Sequence, residues 1–238
     1  MEIIEAVRTR RSIRAFKPDP VPQNVLEEIL DICRWTASAG NAQPWYLSIL
    51  GGKVLDEIKA RLEEKVKTSR EDNEWTNTHP DIHIRGTTPY SPSLMPRVQS
   101  FAQSMLSVIM PPEMENIAEN RHEYFLVKNQ RFHDAPNVLL IYCEDANPNT
   151  IIAVGQVSET FCLAAMAYGL GTCHIGRPTI LWPEIYRDVV GTPKVLGSSE
   201  PKLIAHTIAF GYPDFEAPVN NFLRPRESLD ALIEWHMD

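Results

Sequence analysis

VLLIYCEDANPNTIIAVGQVSETFCLAAMAYGLGTCHIG, residues 138–176, sets the architecture. Val138 to Cys143 is a short apolar run of branched and aromatic residues, the pattern of a strand buried on both faces. Ile151 to Tyr168 is apolar on nearly every side, which suits a helix in the middle of the molecule rather than on its surface. Gly169 to Gly176 reads as the loop that follows. Working outward, Trp45 to Leu50 and Leu203 to Tyr212 read as two more buried strands. Asn24 to Arg34 reads as a helix with Val25, Ile29, Ile32 and Cys33 on one stripe. Gly51-Gly52 is a turn into a helix over Val54 to Val66 laced with Lys/Glu pairs. Residues 1–9 carry Ile3, Ile4 and Val7 at helical spacing and run into Arg10-Arg11-Ser12-Ile13-Arg14, so these charges sit where a helix ends.

Composition narrows the function. The 238 residues suffice for one sizeable domain, and 43% hydrophobic with 23% charged residues is the balance of a folded protein. Subtracting 31 acidic from 23 basic side chains gives −8, which disfavours nucleic acid and anionic membranes as partners. No apolar run approaches the ~20 residues that span a bilayer, so no transmembrane helix is expected. The amino terminus has its basic residues after its apolar ones, the reverse of a secretory signal, which points to the cytoplasm. Four cysteines, Cys33, Cys143, Cys162 and Cys173, form no close pair, so reduced core thiols are expected.

Residues 67–130 lose the regular pattern. They are polar, broken by proline and dotted with Trp75, Tyr90, Met95, Phe101 and Met105, with helices near Val98–Ile109 and Glu113–Lys128. Such an excursion inside a domain suits a functional cover. The carboxy-terminal residues 217–238 hold a second basic cluster, Arg224-Pro225-Arg226, and a terminal helix with Leu229, Leu232 and Ile233.

Several reaction classes lack their motif. There is no phosphate loop of G-x-x-x-x-G-K-[ST] type, no G-x-S-x-G elbow and no H-E-x-x-H. In Gly169-Leu-Gly171-Thr-Cys-His-Ile-Gly176 the third glycine comes late and the helix precedes the loop, so a Rossmann site fails. His79 and His83 have metal-ligand spacing, but Pro80 bars a regular helix there, and solvated loop histidines are the simpler reading. Arg85 and Arg97 could meet a substrate carboxylate or stand as ordinary loop cations.

In an acidic chain, Arg10, Arg11 and Arg14 beside Ser12, with Arg224 and Arg226 far along, offer the forked donors and hydroxyl that a phosphate monoester requires. Ser38-Ala39-Gly40-Asn41-Ala42-Gln43-Pro44-Trp45 adds a ledge of small and amide residues before an aromatic strand, suited to a flat heteroaromatic ligand. Together, Arg10 to Phe16, Ser38-x-x-Asn41-x-Gln43-Pro44-Trp45, Gly169-x-Gly171-Thr-x-x-x-Gly176 and Arg224-x-Arg226 resemble, in order, the FMN-dependent nitroreductase family.

That resemblance implies a single domain over 1–238 of the α+β class: a nitroreductase-like sandwich around a mostly antiparallel sheet flanked by helices, intertwined as a homodimer whose segment 217–238 reaches the partner. It implies that Arg10, Arg11, Ser12, Arg224 and Arg226 hold the FMN phosphate and its ribityl chain. Arg14 faces the N1–C2=O edge of the flavin and tunes its potential. Ser38, Asn41 and Gln43 approach from the partner subunit, and the backbone at Ile175 and Gly176 donates towards N5 and O4. Many relatives carry Trp where this chain has His174, so no ring-packing role is expected at that position. Hydride from NAD(P)H then passes through the flavin to a nitroaromatic, quinone or similar small aromatic acceptor, with no protein nucleophile, base or metal required. Specialised flavin chemistry such as reductive dehalogenation, or FMN binding without catalysis, are the alternatives.

Overall fold

The computed structural model describes residues 2–72, 91–109, 127–191, 202–222 and 224–237. Four strands, β1 (Trp45–Gly51), β2 (Asn137–Cys143), β3 (Gly171–His174) and β4 (Leu203–Gly211), form one sheet in the order β1-β2-β4-β3. Every neighbouring pair is antiparallel. Helices α1 (Ile3–Thr9), α2 (Gln23–Cys33), α3 (Gly52–Asp72), α4 (Met95–Ile109), α5 (Pro148–Ala167), α6 (Arg177–Leu181) and α7 (Pro183–Val190) surround it.

The sheet is covered on both faces. Leu139, Ile141, Ile208 and Phe210 pack with α2 and α5 through Ile29, Cys33, Val157 and Phe161. Val138, Leu140 and Tyr142 pack on the other side with Leu55, Ile58 and Leu62 of α3 and Ile185 and Tyr186 of α7. All seven residues of β2 are therefore buried, as its unbroken apolar run requires. α5 begins where Asn147 caps it, its side chain accepting from the Asn149 N–H, with Pro148 in the first turn. It ends at Gly169, whose φ of +74° only glycine adopts freely. α5 is long and apolar enough to cross a membrane by length and composition alone, a test that a core helix also passes; here Ala153, Val157, Phe161 and Ala165 bury apolar surface against the sheet.

Four elements differ from the sequence reading. The segment after α5 is not all loop: Gly171–His174 forms edge strand β3, too short and too glycine- and cysteine-rich to show a period. The terminal helix is absent, and Leu229–Ala231 makes one 3₁₀ turn with Leu229, Leu232 and Ile233 exposed. In α2 the buried stripe is Leu26, Ile29 and Cys33, with Ile32 exposed. α3 also runs beyond the expected end, to Asp72. The expected helix at 113–128, together with Trp75, His79, His83, Arg85 and Tyr90, lies outside or almost wholly outside the described residues.

β4 carries a bulge that re-aims its side chains. Ile141 pairs with His206 and Tyr142 with Ile204, leaving Ala205 as the extra residue. Ile204 therefore faces the α3 side, while Ile208 and Phe210 face the α5 side, the side to which His206 also belongs by alternation.

Candidate functional site

The residues after α1 are stitched along the β3 edge. Ser12 bridges to Thr172, and the Ile13 N–H donates to the Thr172 carbonyl at 2.8 Å. Further on, the Lys17 N–H donates to the Tyr212 carbonyl at 2.8 Å. The close approach needs Gly171, because a Cβ there would lie 2.5 Å from Ile13 Cγ1. Sequence motif and strand edge thus define each other's position.

The carboxy-terminal segment closes over this motif. Buried Asn220 accepts the Arg14 N–H through Oδ1 at 2.7 Å and donates through Nδ2 to the carbonyls of Ala15 and Asp214. Arg224 donates through Nη2 to the Ser12 carbonyl at 2.8 Å and through Nη1 to that of Phe222 at 3.1 Å. Two residues beyond, Arg226 donates to the Arg224 carbonyl. Chain segments more than 200 positions apart are thereby fastened together.

The outcome is a cavity of about 710 Å³ lined by Arg10, Arg11, Ser12, Arg224 and Arg226, with Pro96, Arg97, Ser100 and Phe101 of α4 as its wall. α4 is held there by an Arg97–Glu227 ion pair at 3.1 Å and by Phe101 against Phe222, ring centroids 5.8 Å apart. Arg14 sits at the border: its guanidinium lies 5.5 Å from the Phe101 ring, and it lines an adjoining cavity with Phe16, His133 and Val219. Arg11 lies over Phe215 at 5.5 Å.

Cations so assembled repel one another. Burial, then Arg14, Arg11 and Arg226, pulls the Arg224 pKa down to about 10. Nε and Nη1 of Arg14 and Nε of Arg224 are buried without a hydrogen-bond partner. Unpaired buried donors of this kind cost free energy that a bound anion recovers. Of these arginines, Arg10 has a carboxylate, Glu159, at 3.0 Å. The site's own fabric therefore fits a phosphate dianion set in guanidinium donors.

The other expected site residues lie apart from this cavity within one chain. Ser38 Oγ accepts the Gln43 N–H at 3.0 Å, and the Gln43 side chain donates to the Asn41 carbonyl. Gly40, Asn41 and Gln43 all have positive φ, so this ledge is a tight knot ahead of β1. It does not line the arginine cavity. The Ile175 N–H donates to the Thr207 carbonyl at 2.9 Å and is committed there. Gly176 lies over His206, whose Nδ1 is 3.2 Å from where a Cβ would stand.

Sequence reasoning missed Asn220, Phe101 as the partner of Arg14, Glu159 as the partner of Arg10, and His206. Only Asn220 carried a signal: an amide four positions before Arg224 in a proline-marked segment.

The family profile "Nitroreductase family" matches residues 7–212. This chain belongs to the nitroreductase family. Among its relatives is nitroreductase NfnB of Mycolicibacterium smegmatis, 27% identical over 94% of this chain and 88% of the relative. A 4-nitrobenzoate reductase of a Nocardioides species is 24% identical over 98% of this chain and 89% of its own. The crystal structure of an FMN- and NADPH-dependent nitroreductase NfnB from Sphigopyxis sp. strain HMH shares the fold, with a TM-score of 0.81 at 24% identity and full coverage of both chains. The nitroreductase fold accounts for the antiparallel sheet with helices on both faces.

Proposed function

We propose that this nitroreductase-family chain binds FMN and moves hydride from NAD(P)H to a nitroaromatic or similar small aromatic acceptor. The observation that carries it is the convergence of Arg10, Arg11, Arg224 and Arg226 on one cavity with Arg14 at its border, with guanidinium nitrogens buried and unpaired. The names of the relatives, one a reductase of 4-nitrobenzoate and one FMN- and NADPH-dependent, support the same reading.

When bound, FMN supplies reversible hydride chemistry at its ring. Arg10, Arg11, Ser12, Arg224 and Arg226 hold the phosphate end. Arg14 stands at the ring edge where negative charge collects on reduction, and a fixed cation in a partly dry site favours that charge. Gly176 keeps its N–H for the ring, since that of Ile175 is taken within the chain. Ser38, Asn41 and Gln43 serve the site of the neighbouring subunit in a homodimer. That assembly is supported by apolar side chains left in the open: Ile3, Ile4 and Val7 on α1 and Leu229, Leu232 and Trp235 on the carboxy-terminal arm. All four cysteines are free thiols, in keeping with a cytoplasmic protein. α4 walls the site through Pro96, Arg97, Ser100 and Phe101, the part of the expected cover that the described residues include.

The test is direct. The purified protein is expected to be yellow, to bleach on anaerobic addition of NADPH or NADH, and to regain colour with 4-nitrobenzoate. A colourless protein that takes up no FMN, or a bound flavin that neither donor bleaches, contradicts the proposal.

A further inference from the structure

Beside the arginine cavity, where β3 ends against α5, three side chains of a different chemistry meet. Glu159 and Cys162, three apart on α5, and His174, the last residue of β3, bring a carboxylate oxygen, Sγ and an imidazole nitrogen within 4.8 Å of one another. Cys162 Sγ and His174 Nε2 are 3.4 Å apart. Tetrahedral zinc, with Zn–S of about 2.3 Å and Zn–N of about 2.0–2.1 Å, separates its sulfur and nitrogen ligands by about 3.5 Å.

We propose that Glu159, Cys162 and His174 form a binding site for a thiophilic divalent cation of the zinc type, with one further position open to water. The mixed S, N, O donor set selects such an ion over magnesium or calcium. Two ligands stand one helical turn apart on a packed helix and the third closes a strand, so the site is held by rigid elements.

The surroundings complete it. His174 Nδ1 lies 2.9 Å from His206 Nε2, and alternation along β4 from Ile208 sets His206 on that side of the sheet. With the proton of this contact on His174 Nδ1, Nε2 keeps its lone pair for the metal, the role that an outer histidine serves at metal centres. His206 Nε2, at hydrogen-bond distance, is placed to accept that proton's hydrogen bond. Glu159 binds Arg10 Nε through Oε1 at 3.0 Å, which leaves Oε2 for the ion. Its side chain is 46% exposed, giving the ion a path in.

The binding step balances without redox change: the Cys162 thiol gives its proton to solvent as sulfur bonds the cation. A thiol ligates only as the thiolate, so one proton leaves per ion bound. Metal occupancy fixes Glu159 and through it Arg10, at the edge of the flavin site, but requires no flavin.

The experiment is zinc and cobalt titration of the chelator-treated full chain. One zinc per chain is expected, with one proton released when calorimetry is run in buffers of different ionisation enthalpy, and cobalt should give a near-ultraviolet thiolate charge-transfer band. Cys162→Ser should abolish that band, and His174→Gln should weaken zinc at least tenfold. His206→Phe, which leaves every ligand in place, should weaken it about 10–100-fold. Circular dichroism and melting of each variant identify any that has unfolded, in which case the remaining two decide. Absence of stoichiometric zinc, a cobalt spectrum without the sulfur band, or undiminished zinc affinity in the folded variants, as binding at His79 and His83 would give, overturns the proposal.

Discussion

Arg14 has a backbone N–H fixed by Asn220, a guanidinium over Phe101 and two buried nitrogens without partners. Such a group is costly unless negative charge arrives beside it, and this is the physical content of its proposed tuning role. Arg14→Ala should lower the flavin reduction potential while the protein still binds FMN; an unshifted potential in an anaerobic redox titration would remove that role. The arginines themselves were legible in the sequence because charge runs stand out in a chain of net −8. Their partners were not. Glu159 on α5, Phe101 on α4 and Asn220 near the far end reach the motif only through the fold, and no local spacing announces them.

Among the elements, long periodic segments were the legible ones: β2, α5 and β4 lie within a residue or a few of where hydrophobic pattern puts them. β3 escaped because four residues, Gly-Thr-Cys-His, hold no period, and it exists by pairing with β4 and by the docking of residues 12–17. The expected terminal helix failed for the opposite reason. Its apolar residues follow a helical spacing but meet no core within the chain, and a short helix without tertiary packing is unstable. The contact between the Arg motif and β3 rests on the missing Cβ of Gly171. Gly171→Ala should therefore destabilise the protein by about 1–3 kcal/mol and loosen FMN. Urea unfolding of the variant checks this, and a variant as stable as the parent would contradict it.

Among the described residues, buried His133 and half-buried His206 are held neutral: His133 near 3 by burial and then Arg14 and Lys128, and His206 near 3 by desolvation and then His174. In the unfolded chain each takes up a proton near its ordinary value of about 6.5, so stability is intact above that pH and is lost as pH falls towards 3. The loss reaches about 1.4 kcal/mol per pH unit for each group, and urea midpoints should fall clearly between about pH 7 and about pH 5, whereas a flat profile would contradict the assignment. The open apolar side chains of α1 and the carboxy-terminal arm predict a particle of twice 27.0 kDa by light scattering; a monomer would deny the partner's loop to the site. Assembly is an expectation of the family resemblance alone, since it does not follow from periodicity, whereas the cover is expected from the loss of regular pattern over 67–130.

The most direct test of the central claim compares FMN with riboflavin, which share the ring and differ in the phosphate. If the arginines of both chain ends hold that phosphate, FMN binds at least about a hundredfold more tightly, given charge-assisted bonds of about 1.5–3 kcal/mol each. Arg10→Ala and Arg226→Ala should shrink that preference without weakening riboflavin. Equal affinity for the two flavins, or a preference untouched by either substitution, would contradict it.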